Sequence, residues 1–213
     1  MPEVEQQINS VTRAVGTREL EAGTANVLTI AQSCPAPVAD VWDACTNAER
    51  IPRWFMPISG DLSEGGRYQL EGNAGGTVQR CDPPNGFDAT WEFDGATSWI
   101  EVRLTAEDAS STRLQLRHIE LDNDDWAEYG PGAMGVGWDM GLFGLAVYFT
   151  EGEFAADAAY GAEWIGSSEG SRFAWLSSKA WCAANIAAGT PEAQATACAD
   201  RTTAAYTAPQ EGS

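Results

Sequence analysis

The residue in this sequence best suited to proton transfer is His118, the only histidine among 213 residues. An unperturbed imidazole changes its charge near neutral pH. In "TRLQLRHIEL", His118 follows Leu114 and Leu116 at a spacing of two, so a β-strand would turn all three side chains to one inward face. His118 is then either a polar contact or proton-transfer group for a ligand, or a structural histidine with satisfied hydrogen bonds. We favour the structural interpretation, because the sequence places no carboxylate or cysteine beside it.

Two short aromatic stretches, "RWFMP" at residues 53–57 and "WEF" at residues 91–93, offer large apolar surfaces to a ligand. Pockets for apolar molecules are lined mainly by such side chains. The same side chains are the usual content of a hydrophobic core, so a core position is the simpler interpretation for any single one of them. As a set, Trp54, Phe55 and Trp91 are candidate walls of a pocket.

The motifs of several common chemistries do not occur in the sequence. The glycine-rich "GNAGG" at residues 72–76 lacks the lysine of a phosphate-binding loop and lies between two strand patterns, which indicates a hairpin turn. There is no G-x-S-x-G motif, and the acidic stretch at residues 122–125 lacks the spacing of a calcium loop. Five cysteines without a C-x-x-C pair, together with one histidine, predict reduced thiols and no zinc site. We therefore expect neither a metal nor another cofactor.

The charge balance argues against other classes of partner. With 31 acidic and 12 basic residues, the formal net charge is −19, and such a surface repels phosphate backbones and anionic lipids. The N-terminal stretch lacks the continuous apolar region of a secretory signal. No apolar run reaches the ~18 residues of a membrane span, because Asp139 interrupts the best candidate. We expect a soluble cytoplasmic protein that binds neither nucleic acid nor membrane.

The elements that would position these residues are mainly β-strands. "NVLTIAQS" at residues 26–33 reads as a first strand, and apolar residues then recur at helical spacing over residues 38–45. Between residues 67 and 121, apolar and polar residues alternate in segments separated by turn sequences such as "NAGG" and "DPPNG". In one of them, "FDATWEF", the alternation assigns Phe87, Ala89, Trp91 and Phe93 to the buried face. The pattern predicts a meandering antiparallel sheet with one buried and one wet face.

The most apolar stretch, "YGPGAMGVGWDMGLFGLAVYF" at residues 129–149, has helical spacing although it contains six glycines. Each interior glycine costs a helix about 1 kcal/mol relative to alanine. On this helix an apolar stripe that includes Trp138 runs beside a glycine row formed by Gly137, Gly141 and Gly144. We expect burial on two sides of the helix, with Asp139 exposed to water on the opposite side. The glycine row either permits close packing alone, the simpler interpretation, or also opens space for a ligand beside Trp138.

The segments that flank these elements complete the predicted organisation. Residues 1–24 read as a polar N-terminal arm or short helix that packs loosely on the body, residues 25–152 as the main domain, and residues 153–213 as a helical extension docked on it. "DNDDWAEYGPG" at residues 122–132 reads as an acidic loop.

Capping residues predict two helices in the extension. Ser168 is suited to cap the first, which Gly189 would end, and Thr190 and Pro191 are suited to begin the second. The aromatic residues of this extension exceed what is needed to cover one long helix, so we consider a homodimer through the C-terminal helices possible. They are Trp164, Phe173, Trp175 and Trp181, with Leu176 beside them.

Several segments, in this order, resemble the SRPBCC (START-like) superfamily: "VWDACTNAERIPRWF", "GGRYQLEGNAGGTVQRCDPPNGFDATWEF", "SWIEVRL" and "GVGWDMGLFGLAVYF". Within it they are most similar to the branch named after the activator of heat-shock-protein-90 ATPase, over roughly residues 25–150. The tail segments "SKAWCAANIAAG" and "DRTTAAYT" resemble those of actinobacterial members.

This resemblance implies an α+β helix-grip fold, in which a curved antiparallel sheet wraps around a long helix at about 134–150, with extra C-terminal helices. The superfamily includes lipid and hormone carriers, aromatic polyketide cyclases and oxygenase domains, so the fold does not settle the activity. Our first hypothesis is a binding protein for a small hydrophobic or aromatic molecule held between sheet and helix. Its predicted contacts are Trp54, Phe55, Tyr68, Trp91, Val102, Leu116, His118, Trp138, Gly141 and Leu145.

Two alternatives belong to other functional classes. A chaperone-linked or stress-related interaction protein would use the outer face of the sheet and the acidic surface, and would have no pocket above about 300 Å³. A cyclase-type enzyme would need a second titratable group beside His118, for which the sequence offers Tyr68, Tyr148 and Arg80. No residue is selected as catalytic.

Overall fold

A computed structural model describes residues 3–152 and 164–208 of the chain. The helices of these residues are α1 (Val4–Ser10), α2 (Val38–Thr46), α3 (Asp124–Tyr129), α4 (Gly132–Glu151), α5 (Ser168–Ala187) and α6 (Glu192–Thr207), with a short 3₁₀ turn at Ile51–Arg53. The strands are β1 (Thr12–Leu20), β2 (Gly23–Cys34), β3 (Ile58–Gly60), β4 (Arg67–Leu70), β5 (Gly75–Asp82), β6 (Gly86–Phe93), β7 (Ala96–Ala106) and β8 (Thr112–Leu121).

All these strands form one antiparallel sheet with the order β1-β2-β8-β7-β6-β5-β4-β3. Burial alternates along β7 and β8, so that Leu114, Leu116 and His118 are buried and the residues between them are partly exposed. This confirms the predicted meander and its buried face. At the end of β6 the alternation fails, because Phe93 is 54% exposed, in contrast to its predicted burial.

Helix α4 packs against the buried face of this sheet. Leu142 and Leu145 of α4 belong to the same hydrophobic cluster as Leu28 and Ile30 of β2 and Val102 of β7. The sheet with this helix against its inner face is the helix-grip fold predicted for the chain.

The N-terminal segment differs from the loosely packed arm that we predicted. Residues 12–20 form the edge strand β1, which pairs with β2 over its whole length. In α1, Val4 and Ile8 are buried in a cluster with Phe143 of α4 and Phe173 of α5. The segment is held by a strand ladder and apolar contacts with residues that lie far from it in the sequence, which local periodicity does not reveal. The division at residues 24 and 152 stays a prediction.

Two further local predictions are corrected. The acidic loop at 122–132 contains the short helix α3, whose N-cap Asn123 accepts a hydrogen bond from the backbone N–H of Trp126. The N-cap of α5 is Ser167, one residue before the predicted Ser168, and its hydroxyl accepts from the N–H of Gly170. For α6 the N-cap position is taken by Pro191, one residue after the predicted Thr190.

The prediction that Asp139 faces water is wrong. Its side chain is 1% exposed and makes a two-bonded ion pair with Arg13 of β1, from Nη2 to Oδ1 at 2.7 Å and from Nε to Oδ2 at 3.0 Å. Ser177 and Trp181 of α5 also donate to Oδ2, at 2.6 and 3.0 Å. The side of α4 assigned to water is therefore covered by β1 and α5, and a buried charge is matched by four donor groups.

The glycines of α4 have different neighbours. A Cβ at Gly135 would overlap the indole of Trp181, whereas one at Gly137 would meet only the hydroxyl of Tyr206 at 3.5 Å. A Cβ at Gly141 would lie 3.1 Å from the ring of Phe55. Of Gly135, Gly137 and Gly141, the tightest approach is thus at Gly135, outside the predicted glycine row, and Gly141 faces an aromatic side chain rather than a neighbouring backbone.

The C-terminal helices α5 and α6 cover the side of α4 that faces away from the sheet. Trp164, Phe173 and Trp181 are buried, and Trp175 is 47% exposed. Most of the aromatic surface that suggested a homodimer is therefore covered within one chain. In the described part of the chain, none of the helices has the length and apolar character needed to cross a membrane.

Candidate functional site

An apolar cavity of about 130 Å³ lies between the inner face of the sheet, α4, and the segment that follows α2. Its walls come from strands β3 to β8, from α4, and from α2 with the segment that follows it. They are Cys45, Thr46, Ile51, Trp54, Phe55, Ile58, Leu62, Tyr68, Leu70, Val78, Cys81, Phe87, Ala89, Trp91, Ile100, Val102, Leu114, Leu116, Trp138, Gly141 and Leu142.

Four aromatic rings form a continuous series along the cavity. Trp54 stacks on Phe55 at 5.4 Å between ring centroids, Phe55 stacks on Trp138 at 6.2 Å, and Trp138 packs against Trp91 at 5.0 Å. The ring of Phe55 lies against α4 where Gly141 has no side chain, so this glycine makes room for one wall. Such rings offer flat, polarizable surfaces that suit another aromatic or aliphatic group.

The lining residues differ in exposure. Leu62, Cys81 and Phe87 line the cavity and are partly exposed, whereas Ile100, Val102 and Leu116 at the centre of the sheet are buried.

Three polar groups of the walls have hydrogen-bond partners within the protein. Trp54 Nε1 donates to the carbonyl of Ala44 at 2.9 Å, Tyr68 Oη donates to the carbonyl of Thr90 at 2.7 Å, and Thr46 Oγ1 donates to the carbonyl of Trp42 at 2.8 Å. Burial raises the pKa of the Cys45 and Cys81 thiols and of the Tyr68 phenol, so all three are neutral at pH 7. The described walls thus present an uncharged, apolar interior.

His118 is a structural histidine in the second layer of the wall. Trp138 Nε1 donates to His118 Nδ1 at 2.9 Å, and because an indole N–H only donates, Nδ1 is the acceptor. The ring proton is therefore on Nε2, which donates to Ser98 Oγ at 2.7 Å, and Ser98 in turn donates to the carbonyl of Trp91 at 3.1 Å. Both nitrogens of the neutral imidazole are used, and they hold Trp138 and Trp91 in place beside the cavity.

Because His118 is buried, the stability of the protein should depend on pH. Desolvation lowers the pKa of His118 to about 3, whereas in the unfolded chain it is about 6.5. As the pH falls from about 6.5 towards 3, the unfolded chain binds a proton that the folded chain excludes, so stability is lost by up to about 1.4 kcal/mol per pH unit.

The variant His118→Gln separates this effect from the protonation of the many carboxylates in the same pH range. The difference in free energy of unfolding between the native chain and the variant should shrink between pH 6 and pH 4, in urea titrations at both values. A difference that stays constant with pH would show that His118 is protonated equally in both states.

The structure brings together most of the predicted contacts. Trp54, Phe55, Tyr68, Trp91, Val102, Leu116, Trp138 and Gly141 line the cavity. His118 lies behind Trp138 and Trp91, and Leu145 is fully buried in the main core, so neither is a wall residue. Of the possible titratable partners of His118, Tyr148 accepts from Arg50 Nε at 2.8 Å, and Arg80 pairs with Asp82 at 3.2 Å on the surface.

Several wall residues were not among the predicted contacts. Ala89, Ile100 and Leu114 lie on the buried faces that strand alternation indicates, so the same signal locates them. Ile58 and Leu62 come from the short strand β3 and the connection after it, where no periodic pattern marks them. Within the described residues, no group of three or more acidic, histidine or cysteine side chains is placed to hold a metal ion.

Comparison with known proteins gives one matching family model and several solved structures of similar fold. A family model described as "Activator of Hsp90 ATPase homolog 1-like protein" matches residues 35–150, and no curated protein matches the chain. The crystal structure of CalU16 from Micromonospora echinospora is 36% identical, covers 82% of this chain and 98% of its own, and has a TM-score of 0.68.

The solution structure of the same CalU16 agrees, with 34% identity, coverage of 84% and 97%, and a TM-score of 0.69. EF2215 from Enterococcus faecalis, described as a conserved protein of unknown function, shares the fold at 14% identity. It covers 73% of this chain and 86% of its own, with a TM-score of 0.56.

Proposed function

This chain belongs to the family of activator of Hsp90 ATPase homolog 1-like proteins, and from that premise we propose that it binds a small hydrophobic or aromatic molecule between sheet and α4. The observation that carries the proposal is the apolar cavity of about 130 Å³ with its aromatic walls. A cavity of about 150 Å³ lined by aliphatic and aromatic side chains stays empty of water and binds benzene. The proposed ligand is therefore about one aromatic ring or a short branched alkyl group in size.

The chemistry of the walls supports binding rather than acid–base catalysis. An uncharged, mainly apolar lining gives a charged ligand little compensation for its lost hydration. The neutral thiols and phenol leave no described wall group ready to accept a proton at pH 7. Selectivity would then follow shape and ring stacking.

Filling the cavity provides the test. Ala89 is buried at 2% exposure and its methyl group forms part of the wall, so Ala89→Leu places an isopropyl group in the free space. We expect the variant to lose binding of toluene and indole, measured by chemical-shift titration, with at least tenfold weaker affinity than the native chain. Ala39→Leu, on the exposed side of α2, is the matched control and should bind both probes like the native chain.

Two outcomes would contradict the proposal. If toluene and indole bind Ala89→Leu and the native chain equally, their site lies elsewhere on the protein. If neither probe perturbs wall residues of the native chain at millimolar concentration, the cavity is not a site for ligands of this size. A melting curve of Ala89→Leu establishes that the variant is folded, because overpacking of a core typically costs about 1–3 kcal/mol.

The homodimer through the C-terminal helices stays a prediction without support from this site. The cavity is built from residues of one chain, and Trp175 is the only large aromatic residue exposed in the described part of α5 and α6. The binding proposal is therefore independent of oligomeric state.

A further inference from the structure

A second, larger concave site lies at the N-terminal end of α4, outside the apolar cavity. It has a volume of about 460 Å³, within the range of about 300–1,000 Å³ typical of small-molecule sites. We call it the α4–α6 groove. Its walls are Trp91, Phe93, Asp94, Ala96, Ser98, His118, Glu120, Asp125, Tyr129, Ala133, Met134, Thr202, Ala205 and Tyr206.

Aromatic rings form much of the groove. Phe93 is 54% exposed at the end of β6, so its ring is accessible from solvent. Tyr206 is held at the opposite wall, because its hydroxyl donates to the carbonyl of Ala133 at 3.1 Å. Tyr129 completes this side. The face of an aromatic ring attracts a cation within about 6 Å of its centroid.

The charged residues of the groove all have the same sign. Asp94, Glu120 and Asp125 line it, whereas no arginine or lysine does. None of these three carboxylates forms a salt bridge with a described basic residue. His118 contributes only a neutral ring whose nitrogens are both hydrogen-bonded. The groove is thus a region of negative potential without an internal counter-ion.

The positions of two of these acidic residues differ in character. Asp94 and Gly95 both have positive φ, +48° and +78°, in the tight turn that joins β6 to β7, which fixes Asp94 beside Phe93. Glu120 is half-buried near the end of β8, and both this burial and the charge of Asp125 raise the pKa of its carboxyl. A cation between Glu120 and Asp125 would relieve their repulsion.

We propose that the α4–α6 groove binds a small organic cation, a protonated amine or quaternary ammonium group carried on an aromatic or short aliphatic body. The volume accommodates such a molecule, the rings cover its apolar part and attract its charge, and the carboxylates neutralise it. This site is separate from the apolar cavity of the proposed function. Trp91 lies in the wall of both, so it is left unchanged in the test.

The test compares three probes that each carry one phenyl ring but differ in charge. Benzyltrimethylammonium carries a fixed positive charge, 2-phenylethanol is neutral, and phenylacetate is negative. We expect the cation to bind at least about tenfold more tightly than the alcohol, with chemical-shift changes at Phe93, Glu120 and Tyr206. Phenylacetate should not bind. The affinity of the cation should fall as salt rises from 20 to 300 mM, because salt screens the carboxylates.

Three variants assign the contacts. Glu120→Gln and Asp125→Asn keep the shape of each side chain and remove one charge, and each should weaken cation binding about threefold to tenfold. Phe93→Leu, at an exposed position, should weaken it by a similar factor through loss of the ring. Glu49→Gln also removes one charge, but from an exposed residue outside the groove, and should leave the affinity unchanged.

Several outcomes would overturn the proposal: equal binding of the cation and the alcohol, unchanged affinity in both charge variants, or no binding of the cation at millimolar concentration. Melting curves of the variants establish that they are folded. The two sites are also tested separately, because Glu120→Gln should still bind toluene and Ala89→Leu should still bind benzyltrimethylammonium. A failure at one site therefore leaves the other result standing.

Discussion

Asp139→Asn is expected to lower the free energy of unfolding by about 3–5 kcal/mol, the largest effect of any single substitution that we predict. The substitution removes the charge that Arg13 faces, and the Arg13 side chain is only 5% exposed. The amide group of asparagine keeps one oxygen that can accept from Ser177 and Trp181, but its NH2 group presents a donor where Arg13 Nη2 needs an acceptor. Urea unfolding followed by tryptophan fluorescence measures the loss.

The reason is the cost of an unpaired buried charge rather than the attraction within the pair. A buried ion pair gains little over apolar residues of the same volume, but removal of one partner leaves the other without compensation. The double variant Arg13→Met, Asp139→Asn keeps the side-chain oxygen for Ser177 and Trp181 and removes both charges. We therefore expect it to be more stable than Asp139→Asn alone, with a coupling energy of about 2 kcal/mol.

An exposed ion pair supplies the control. Arg172 of α5 pairs with Glu5 of α1, and their side chains are 58% and 57% exposed. Glu5→Gln should change stability by less than about 1 kcal/mol, because exposed pairs contribute little in water. If Asp139→Asn cost no more than Glu5→Gln, the proposed role of the buried network would be wrong.

Gly135→Ala should destabilise the protein by about 1–3 kcal/mol, although alanine is the better helix former. The added methyl group would overlap the indole of Trp181, which is 1% exposed. That indole cannot shift easily, because its Nε1 donates to Asp139 at 3.0 Å. At this chain length each kcal/mol corresponds to about 2–4 °C in melting temperature, so calorimetry resolves the change.

The same substitution at Gly137 should have the opposite sign. A methyl group there meets only the hydroxyl of Tyr206 at 3.5 Å, an ordinary contact distance. Gly137→Ala should therefore gain up to about 1 kcal/mol from helix propensity. Equal effects at Gly135 and Gly137 would contradict the packing of α5 on α4 described above.

The sheet and its inner face could be predicted from local pattern alone. In β7 and β8 the alternation of apolar and polar residues has the period of a strand, and short turn sequences separate the segments. The alternation therefore assigns a side chain such as Leu116 to one face of the sheet, whichever element packs against that face. The same argument placed Tyr68, Trp91, Val102 and Leu116, four of the predicted contacts that line the cavity, on this face.

The prediction for Asp139 failed because helical phase gives only the direction of a side chain and not what lies in that direction. Its partner Arg13 is 126 residues away in the sequence, on a strand that we had read as a loose arm. A polar residue on an otherwise apolar helix is compatible both with water and with a buried counter-charge. Only the position of β1 and α5 decides between them.

The glycines of α4 show the same difference between what local sequence indicates and what tertiary packing decides. Their number in an apolar helix indicated close approach by other elements, and the family resemblance implied the α+β helix-grip architecture. Local sequence thus gives the periods and most buried faces of the strands, because these depend on near neighbours in the chain, and composition gives the sign of the net charge. The tertiary structure alone decided that Trp181 lies on Gly135, Phe55 on Gly141, and Arg13 on Asp139, because each contact joins elements that no local rule connects.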